Sequence, residues 1–178
     1  MNVRATTILG VRLKTGAAMG GDGQVTFGDM ALKQKAVKVR SFEGGKNIVL
    51  GGFAGAAADA LTLFGKFEEK LEEYNWQLQR AVVELAKDWR TDKYLRNLDA
   101  LLALMDSHHS YLVSGDGNVI EPDGSVLSIG SGSGYALAAA QALISCEIKS
   151  PSEIVKRSLD IAANICIYTN HNITVMEL

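Results

Sequence analysis

Short apolar and β-branched runs, bounded by turn residues, characterise the first 50 positions of the chain. Such runs lie at residues 6–13, 17–21, 37–39 and 48–50. The first two are separated by Lys14-Thr15-Gly16, a sequence typical of turns. Bounded runs of this length and composition predict strands. We therefore expect an antiparallel pair at the start of the chain and two further strands after it.

Helical spacing of apolar residues replaces this pattern after residue 55. One amphipathic stripe consists of Ala60, Phe64, Phe67, Leu71 and Tyr74. A second consists of Leu78, Val82, Leu85 and Trp89. Recurrence at three and four positions predicts helices that bury one face. In this interpretation, helical character extends toward Asp106 through Leu98, Leu101, Leu102 and Met105.

Two strands, two helices and a last strand are predicted after residue 110. Strands are predicted at residues 111–114 and 126–129, an alanine-rich helix at 135–144, and a last strand at 173–176. A further helix begins at Ser150-Pro151-Ser152-Glu153, which combines a capping box with proline at the first helical position. Strands and helices thus come in segregated runs, which favours an α+β fold of helices on antiparallel sheet. Two sheets stacked between helix layers satisfy the pattern.

Composition limits the classes of function. A chain of 178 residues with 47% hydrophobic residues suits one globular domain, and its net charge of -2 gives no footprint for nucleic acid. The two cysteines are too few for a disulfide framework and lack the spacing of a zinc site. No signal peptide or membrane-spanning run is apparent. We expect a cytoplasmic protein that binds neither nucleic acid nor membrane.

Thr6 is the first candidate for chemistry. It lies five residues from the chain start, immediately before the first predicted strand. Removal of Met1 to Ala5 would make it the N-terminal residue of a single domain covering residues 6–178. Its hydroxyl could then attack a carbonyl, while its own α-amine, with a pKa of roughly 7.7–8, accepts the proton. A Thr-Thr pair that opens a strand can also be simple β-branched packing.

Lys38 is open to two interpretations. In Val37-Lys38-Val39-Arg40 the two valines would share one strand face, which would place Lys38 and Arg40 on the other as a solvated basic face. Alternatively, Lys38 projects into a cleft beside Asp22. An ammonium held there would favour the deprotonated forms of a nearby threonine hydroxyl and amine. Asp22, in Gly21-Asp22-Gly23, is otherwise an ordinary turn aspartate.

The run Gly130-Ser131-Gly132-Ser133-Gly134 lies between a predicted strand and a predicted helix. Such glycines permit a close turn, and the helix N-terminus could also cradle a phosphate. The Gly-Lys-Ser/Thr sequence of a P-loop and the Gly-x-Gly-x-x-Gly sequence of a dinucleotide fold are both missing. A nucleotide-binding domain that uses Gly130 to Gly134 is therefore an alternative function.

Several sequence blocks, in one order from end to end, resemble the HslV (ClpQ) family of peptidases, relatives of proteasome β-subunits. The blocks are Ala5-Thr6-Thr7-Ile8, Gly21-Asp22-Gly23-Gln24-Val25-Thr26, Lys38-Val39-Arg40, Gly52-Phe53-Ala54-Gly55 with Ala58-Asp59-Ala60, Glu84-Leu85-Ala86-Lys87-Asp88-Trp89-Arg90-Thr91-Asp92, Ile129-Gly130-Ser131-Gly132 and Ile165-Cys166-Ile167-Tyr168-Thr169-Asn170. Several matched blocks are far more specific than any one motif.

The resemblance implies a set of site residues. Thr6 would be the nucleophile of a threonine endopeptidase, supported by Asp22, Lys38 and Ser131. The backbone N–H of Gly52 would donate to the oxyanion. A monovalent cation, Na⁺, would be bound by the backbone carbonyls of Ala163, Cys166 and Thr169. Ala163 stands where the family usually has glycine, which matters little to a carbonyl ligand.

The resemblance also implies an architecture and partners. The fold would be a four-layer αββα sandwich, and two stacked hexameric rings would enclose the active sites. An HslU-type AAA+ ATPase would unfold polypeptide substrates and feed them in, so ATP would be used by the partner and not by this chain. A ring subunit that never matures and serves only as a scaffold is the structural alternative.

Overall fold

The computed structural model describes residues 6–178, which form eleven β-strands and four α-helices. The strands are β1 (Thr7–Leu13), β2 (Gly16–Gly21), β3 (Val25–Phe27), β4 (Met30–Lys33), β5 (Val39–Gly44), β6 (Asn47–Gly55), β7 (Ala100–Met105), β8 (Ser110–Ser114), β9 (Val119–Ile120), β10 (Val126–Gly130) and β11 (Thr174–Glu177). The helices are α1 (Ala57–Glu73), α2 (Leu78–Thr91), α3 (Ser133–Ser145) and α4 (Pro151–Ala163).

Antiparallel pairing arranges most strands into two sheets. One sheet has the order β10-β1-β2-β11 and the other the order β5-β6-β7-β8-β9, while β3 and β4 form a separate hairpin. The strand β1 is central in its sheet, where Thr7 pairs with Gly130 of β10 and Ile8 pairs with Gly21 of β2. Because both neighbours run antiparallel to β1, the loops that follow β2 and β10 lie at the start of β1.

Three buried apolar clusters define the layers. Residues of α1 and α2, among them Phe67 and Leu85, pack on the five-stranded sheet. A second cluster, which includes Ile8 of β1 and Leu50 of β6, lies between the two sheets. In the third, α3 and α4 cover the outer face of the four-stranded sheet, where Leu9 contacts their apolar stripe. The order helix, sheet, sheet, helix confirms the predicted αββα sandwich.

The amphipathic stripes place α1 and α2 correctly, and the capping box places the start of α4. Leu78, Val82, Leu85 and Trp89 of α2 are all buried. The Ser150 hydroxyl caps α4 by accepting a hydrogen bond from the Glu153 N–H at 3.3 Å, and Pro151 occupies the first turn. Capping satisfies one of the N–H groups that a helix start leaves without a partner. None of the helices in residues 6–178 combines the length and apolarity that a membrane span requires.

The helix predicted through Leu98, Leu101, Leu102 and Met105 is wrong. Apart from a short 3-10 turn at Leu95–Asn97, this segment forms the strand β7. It pairs with β6 on one side and β8 on the other. A central strand covered on both faces is apolar without alternation, so its sequence shows no period that distinguishes it from a buried helix. The hairpin β3–β4 and the two-residue strand β9 were also not predicted.

The burial of α2 gives a test of the outer core. Leu85→Ala should lower the free energy of unfolding by about 2–5 kcal/mol, because Leu85 is fully buried and the truncation leaves a cavity. Leu61→Ala on α1 is the matched control. Its side chain is 70% exposed, so its effect should stay within about 0.5 kcal/mol. Urea unfolding measures both, and equal effects would contradict this placement of α2.

Candidate active site

Thr6 lies directly before the central strand β1, and its side chain is buried. Its carbonyl oxygen accepts a hydrogen bond from the Ser131 N–H at 2.9 Å, and the Ser131 hydroxyl lies 3.3 Å from the same oxygen. Ser131 follows β10, the neighbour of β1. The structure therefore brings Ser131 to the main chain of Thr6, as the resemblance implied, through the pairing of two adjacent strands.

Asp22 follows β2, the other neighbour of β1, and it is fully buried. One carboxylate oxygen accepts from the Thr7 N–H at 2.8 Å and from the Lys38 ammonium at 2.9 Å. The other accepts from the Gln24 N–H at 2.9 Å and the Asn170 N–H at 3.4 Å. Four donors thus hold this carboxylate in place, and the interpretation of Asp22 as an ordinary turn aspartate is wrong.

Lys38 lies beside Asp22, as the second interpretation of Lys38 requires. The strand β5 begins only at Val39, so the alternation expected for Val37 to Arg40 does not apply. Val37 is 64% exposed, whereas the Lys38 side chain is 3% exposed. Burial lowers the pKa of the Lys38 ammonium below its ordinary value of 10.5, and the charge and hydrogen bond of Asp22 oppose that change. The prediction of a solvated basic face is wrong.

Gly52 lies in β6, where it pairs with Val39 of β5 and Ala103 of β7. A Cβ atom at Gly52 would stand 2.5 Å from the Ile8 Cγ2 and 3.1 Å from the Met19 sulfur. Glycine therefore permits β6 to approach β1 closely at Ile8, which is two residues after Thr6 in the sequence. The neighbouring Phe53 N–H donates to the Lys38 carbonyl at 3.2 Å. The oxyanion role of the Gly52 N–H stays a prediction.

The loop from Gly130 to Gly134 donates hydrogen bonds to the start of β1. Gly130 adopts a φ of +96°, which a glycine accommodates. The Ser131 N–H binds the Thr6 carbonyl, and the Gly132 N–H donates to the Thr7 hydroxyl at 3.0 Å. Two N–H groups that a phosphate cradle at the start of α3 would need are therefore occupied by protein. This contact removes the basis of the nucleotide-binding alternative.

The residues proposed for the cation lie at the end of α4 and in the loop after it. Ala163 is the last residue of the helix, and the Cys166 carbonyl accepts from the Thr169 N–H at 3.0 Å. Within residues 6–178, the carbonyls of Ala163 and Thr169 accept no hydrogen bond. The end of α4 leaves the Ala163 carbonyl without a helical partner, and main-chain carbonyl oxygens suit a hard cation. The chemistry of these three carbonyls therefore fits a cation, and their role as its ligands stays a prediction.

Three polar side chains at the site were not assigned a role by sequence reasoning. The buried Thr7 hydroxyl lies 2.7 Å from the Thr169 hydroxyl. The amide of Asn170 binds main-chain groups near Asp22 and Lys38. Thr7 was open to interpretation as strand packing, and Thr169 was considered only for its carbonyl. The available signal was the polar Thr169-Asn170 pair in an otherwise apolar block.

An αββα sandwich in which a threonine precedes the central strand, beside a buried carboxylate and ammonium pair, defines the class of N-terminal nucleophile hydrolases. Comparison with known proteins agrees with this class. The family model described as "Proteasome subunit" matches residues 3–178. The chain belongs to the proteasome subunit family, and the HslV members of that family are N-terminal threonine peptidases.

Individual relatives cover nearly the whole chain. The "ATP-dependent protease subunit HslV" of Caldicellulosiruptor saccharolyticus is 57% identical over 98% of both chains. The protein of the same name from Chlorobium luteolum is 53% identical over 99% of this chain and 96% of its own length. Among solved structures, the crystal structure of eukaryotic HslV from Trypanosoma brucei has a TM-score of 0.89 at 40% identity, over 97% of this chain and 98% of that one.

The ion pair gives a test of stability as well as of activity. Lys38→Ala should lower the free energy of unfolding by about 3 kcal/mol, because it leaves the Asp22 carboxylate buried without its counter-charge. Turnover should fall severely in the same variant. The matched control is Asp22→Asn combined with Lys38→Ala, which removes both charges and should recover part of the lost stability. Wild-type stability of Lys38→Ala in urea unfolding would contradict the buried pair.

Proposed function

We propose that this chain is a threonine endopeptidase, the proteolytic core subunit of an ATP-dependent protease that degrades unfolded or tagged intracellular proteins. The observation that carries this proposal is the convergence at the start of β1. The buried Asp22 and Lys38 pair lies beside the Thr7 N–H, and Ser131 holds the Thr6 carbonyl. These contacts support Thr6 as nucleophile with Asp22, Lys38 and Ser131 around it.

The proposed reaction uses the hydroxyl and the amine of one residue. Once the leader is gone, the Thr6 hydroxyl attacks a peptide carbonyl and its proton passes to the Thr6 α-amine. The Gly52 N–H donates to the oxyanion that develops on that carbonyl oxygen. The amine then gives the proton to the leaving nitrogen, and an ester between Thr6 and the acyl group remains. Water, deprotonated by the same amine, hydrolyses the ester.

Lys38 acts in this proposal as a fixed positive charge. Its ammonium is buried, and Asp22 holds it in place at 2.9 Å. In a poorly solvated environment a positive charge stabilises a developing alkoxide and keeps a nearby amine deprotonated more strongly than it would in water. The Asp22 charge prevents the ammonium from losing its own proton too readily. The pair therefore supplies electrostatic activation without a histidine.

Maturation is a separate requirement. Met1 to Ala5 lie outside the described residues, and until they are removed the Thr6 nitrogen is an amide that cannot act as a base. We propose that they form a short propeptide, removed either by self-cleavage or by another protease, and that residues 6–178 are the mature peptidase domain.

The assembly and the partners follow from the family. The names of the two bacterial relatives describe an ATP-dependent protease subunit. We propose that an HslU-type AAA+ ATPase supplies unfolded polypeptide in the cytoplasm and hydrolyses the ATP. Two stacked hexameric rings would sequester the active sites, which protects other proteins from a broadly tolerant peptidase.

We also propose that the carbonyls of Ala163, Cys166 and Thr169 bind a monovalent cation such as Na⁺. The open carbonyls of Ala163 and Thr169 support this ligand set. When bound, the cation would neutralise the partial negative charge at the end of α4 and brace the loop that follows. Thr169 links that loop to β1 through its hydroxyl contact with Thr7.

The nucleophile is tested by Thr6→Ala. Peptide hydrolysis should fall about a thousandfold or more, because no other group replaces the attacking oxygen. The matched control is Thr62→Ala, which removes an exposed hydroxyl on α1 and should leave the activity unchanged. Intact mass of the wild-type protein should show the loss of Met1 to Ala5. An active Thr6→Ala variant would refute the nucleophile, and an assembled protein that retains its leader would favour the scaffold alternative.

The cation is tested by salt replacement at constant ionic strength. Na⁺ is added in place of tetramethylammonium. The free energy of unfolding should then rise by about 1.4 kcal/mol for each tenfold increase of the Na⁺ concentration above its dissociation constant. Tetramethylammonium is too large for a ring of carbonyl oxygens. Thermal unfolding of the Thr6→Ala variant provides a readout independent of activity. Equal stability in both salts would exclude a cation site of this kind.

A further inference from the structure

The loop between α4 and β11 contacts both sides of the site. The Ile167 carbonyl accepts a hydrogen bond from the Gln24 side chain at 2.8 Å, and the Thr169 hydroxyl lies 2.7 Å from that of Thr7. The Asn170 N–H is directed at Asp22, 3.4 Å away. The loop is therefore packed against the segment that carries Asp22 and against the start of β1.

The side-chain amide of Asn170 uses all of its hydrogen-bonding groups. Its oxygen accepts from the Gly23 N–H and from the Asn172 N–H, each at 3.1 Å. Its nitrogen donates to the Gln34 carbonyl at 2.9 Å and to the Gln34 side-chain oxygen at 2.8 Å. The amide thus joins the segment next to Asp22 to the segment that leads into Lys38.

The chain segments joined by Asn170 approach each other at the backbone. A Cβ atom on Gly23 would lie 2.5 Å from the Gln34 carbonyl oxygen and 3.1 Å from the Asn172 carbonyl oxygen. The Ala36 N–H also donates to the Gly23 carbonyl at 2.9 Å. No side chain fits between these backbones. At Gly23 the connection is made by the Asn170 amide and the Ala36 N–H, and the pairing of Val25 with Lys33 continues it in the β3–β4 hairpin.

This connection matters because Asp22 and Lys38 come from different sheets. Asp22 follows β2 of the four-stranded sheet, and Lys38 precedes β5 of the five-stranded sheet. Among residues 6–178, no strand ladder joins the two large sheets. The β3–β4 hairpin, in which Val25 pairs with Lys33, links the segment after Asp22 to the segment before Lys38. Asn170 binds both segments closer to the ion pair and adds to that link.

We propose that Asn170 is a positioning residue that holds Asp22 in register with Lys38 for the attack by Thr6. This inference rests on the proposed threonine peptidase function and deepens it. Asn170 touches neither the nucleophile nor the peptide in this scheme. It acts through Gly23, which follows Asp22, and through Gln34, which lies four residues before Lys38.

The test compares Asn170→Ala with Asn172→Ala in the mature protein, with a fluorogenic peptide as substrate. Asn170→Ala should lower kcat about 10- to 100-fold, because small displacements of activating groups reduce the rate steeply. KM should stay within about twofold, since the peptide contacts are retained. Asn172→Ala removes a neighbouring side-chain amide. The hydrogen bond of residue 172 to Asn170 is retained, because the main-chain N–H donates it. This variant should retain wild-type kcat.

The pH profile separates positioning from a general loss of structure. Because the Asp22 charge opposes the lowering of the Lys38 pKa by burial, a displaced Asp22 lowers that pKa further. The alkaline limb of kcat/KM should then move to lower pH in Asn170→Ala. A smaller folded fraction would reduce the amplitude of the profile and leave its limbs in place.

A second variant decides the question if Asn170→Ala does not fold. Asn170→Asp has the same shape and keeps the acceptor for Gly23, but it directs an oxygen at the two oxygen atoms of Gln34 and should also lower kcat. Wild-type kcat and pH limbs in a folded variant at position 170 would overturn the inference. Inactive wild-type and Asn172→Ala proteins, both without the leader, would instead refute the proposed function, and the inference with it.

Discussion

The buried ion pair between Asp22 and Lys38 is the interaction on which the site depends. Two charges withdrawn from water cost several kcal/mol each unless they are paired and hydrogen-bonded. Here the carboxylate receives the ammonium at 2.9 Å and three main-chain N–H groups, those of Thr7, Gln24 and Asn170. The compensation is therefore mostly built from backbone, which requires the loops after β2 and α4 to keep their conformations. In return, the charge of Lys38 acts where water screens it little.

The sandwich supplies the close approach that the pair needs. Asp22 follows a strand of one sheet and Lys38 precedes a strand of the other, so the sheets must come together near the start of β1. Glycine allows this approach at Gly52 of β6, where a Cβ would meet Ile8 of β1 at 2.5 Å. The same Ile8 fills the space between the sheets. Glycine in a strand lowers stability. Here the same glycine permits the close approach of the sheets at the candidate site.

Sequence patterns predicted the parts of the fold that have a period. The stripe through Leu78, Val82, Leu85 and Trp89 indicated α2 because one helix face is buried and the other exposed. The strand β7 has no such contrast, and its sequence Ala-Leu-Leu-Ala-Leu-Met suited a helix equally well. The interpretation of Lys38 as part of a solvated face was wrong for a related reason, since alternation describes residues inside a ladder and Lys38 precedes one. Its pairing with Asp22, 16 positions away, depends on two sheets meeting, which the family resemblance conveyed and local spacing could not.

The fold gives the two adjacent threonines at the start of β1 different surroundings. Along β1, Ile8 lies in the cluster between the sheets, whereas Leu9 and Val11 lie in the cluster under α3 and α4. Thr7 shares the outer face with Leu9, and its hydroxyl is engaged by the Gly132 N–H and the Thr169 hydroxyl. Thr6 directly precedes β1 and is buried at the end of the sandwich where Lys38 arrives from the other sheet. A leader that ended after Thr6 would therefore expose the amine of Thr7, whose own hydroxyl is engaged by the Gly132 N–H and the Thr169 hydroxyl and not by the ion pair.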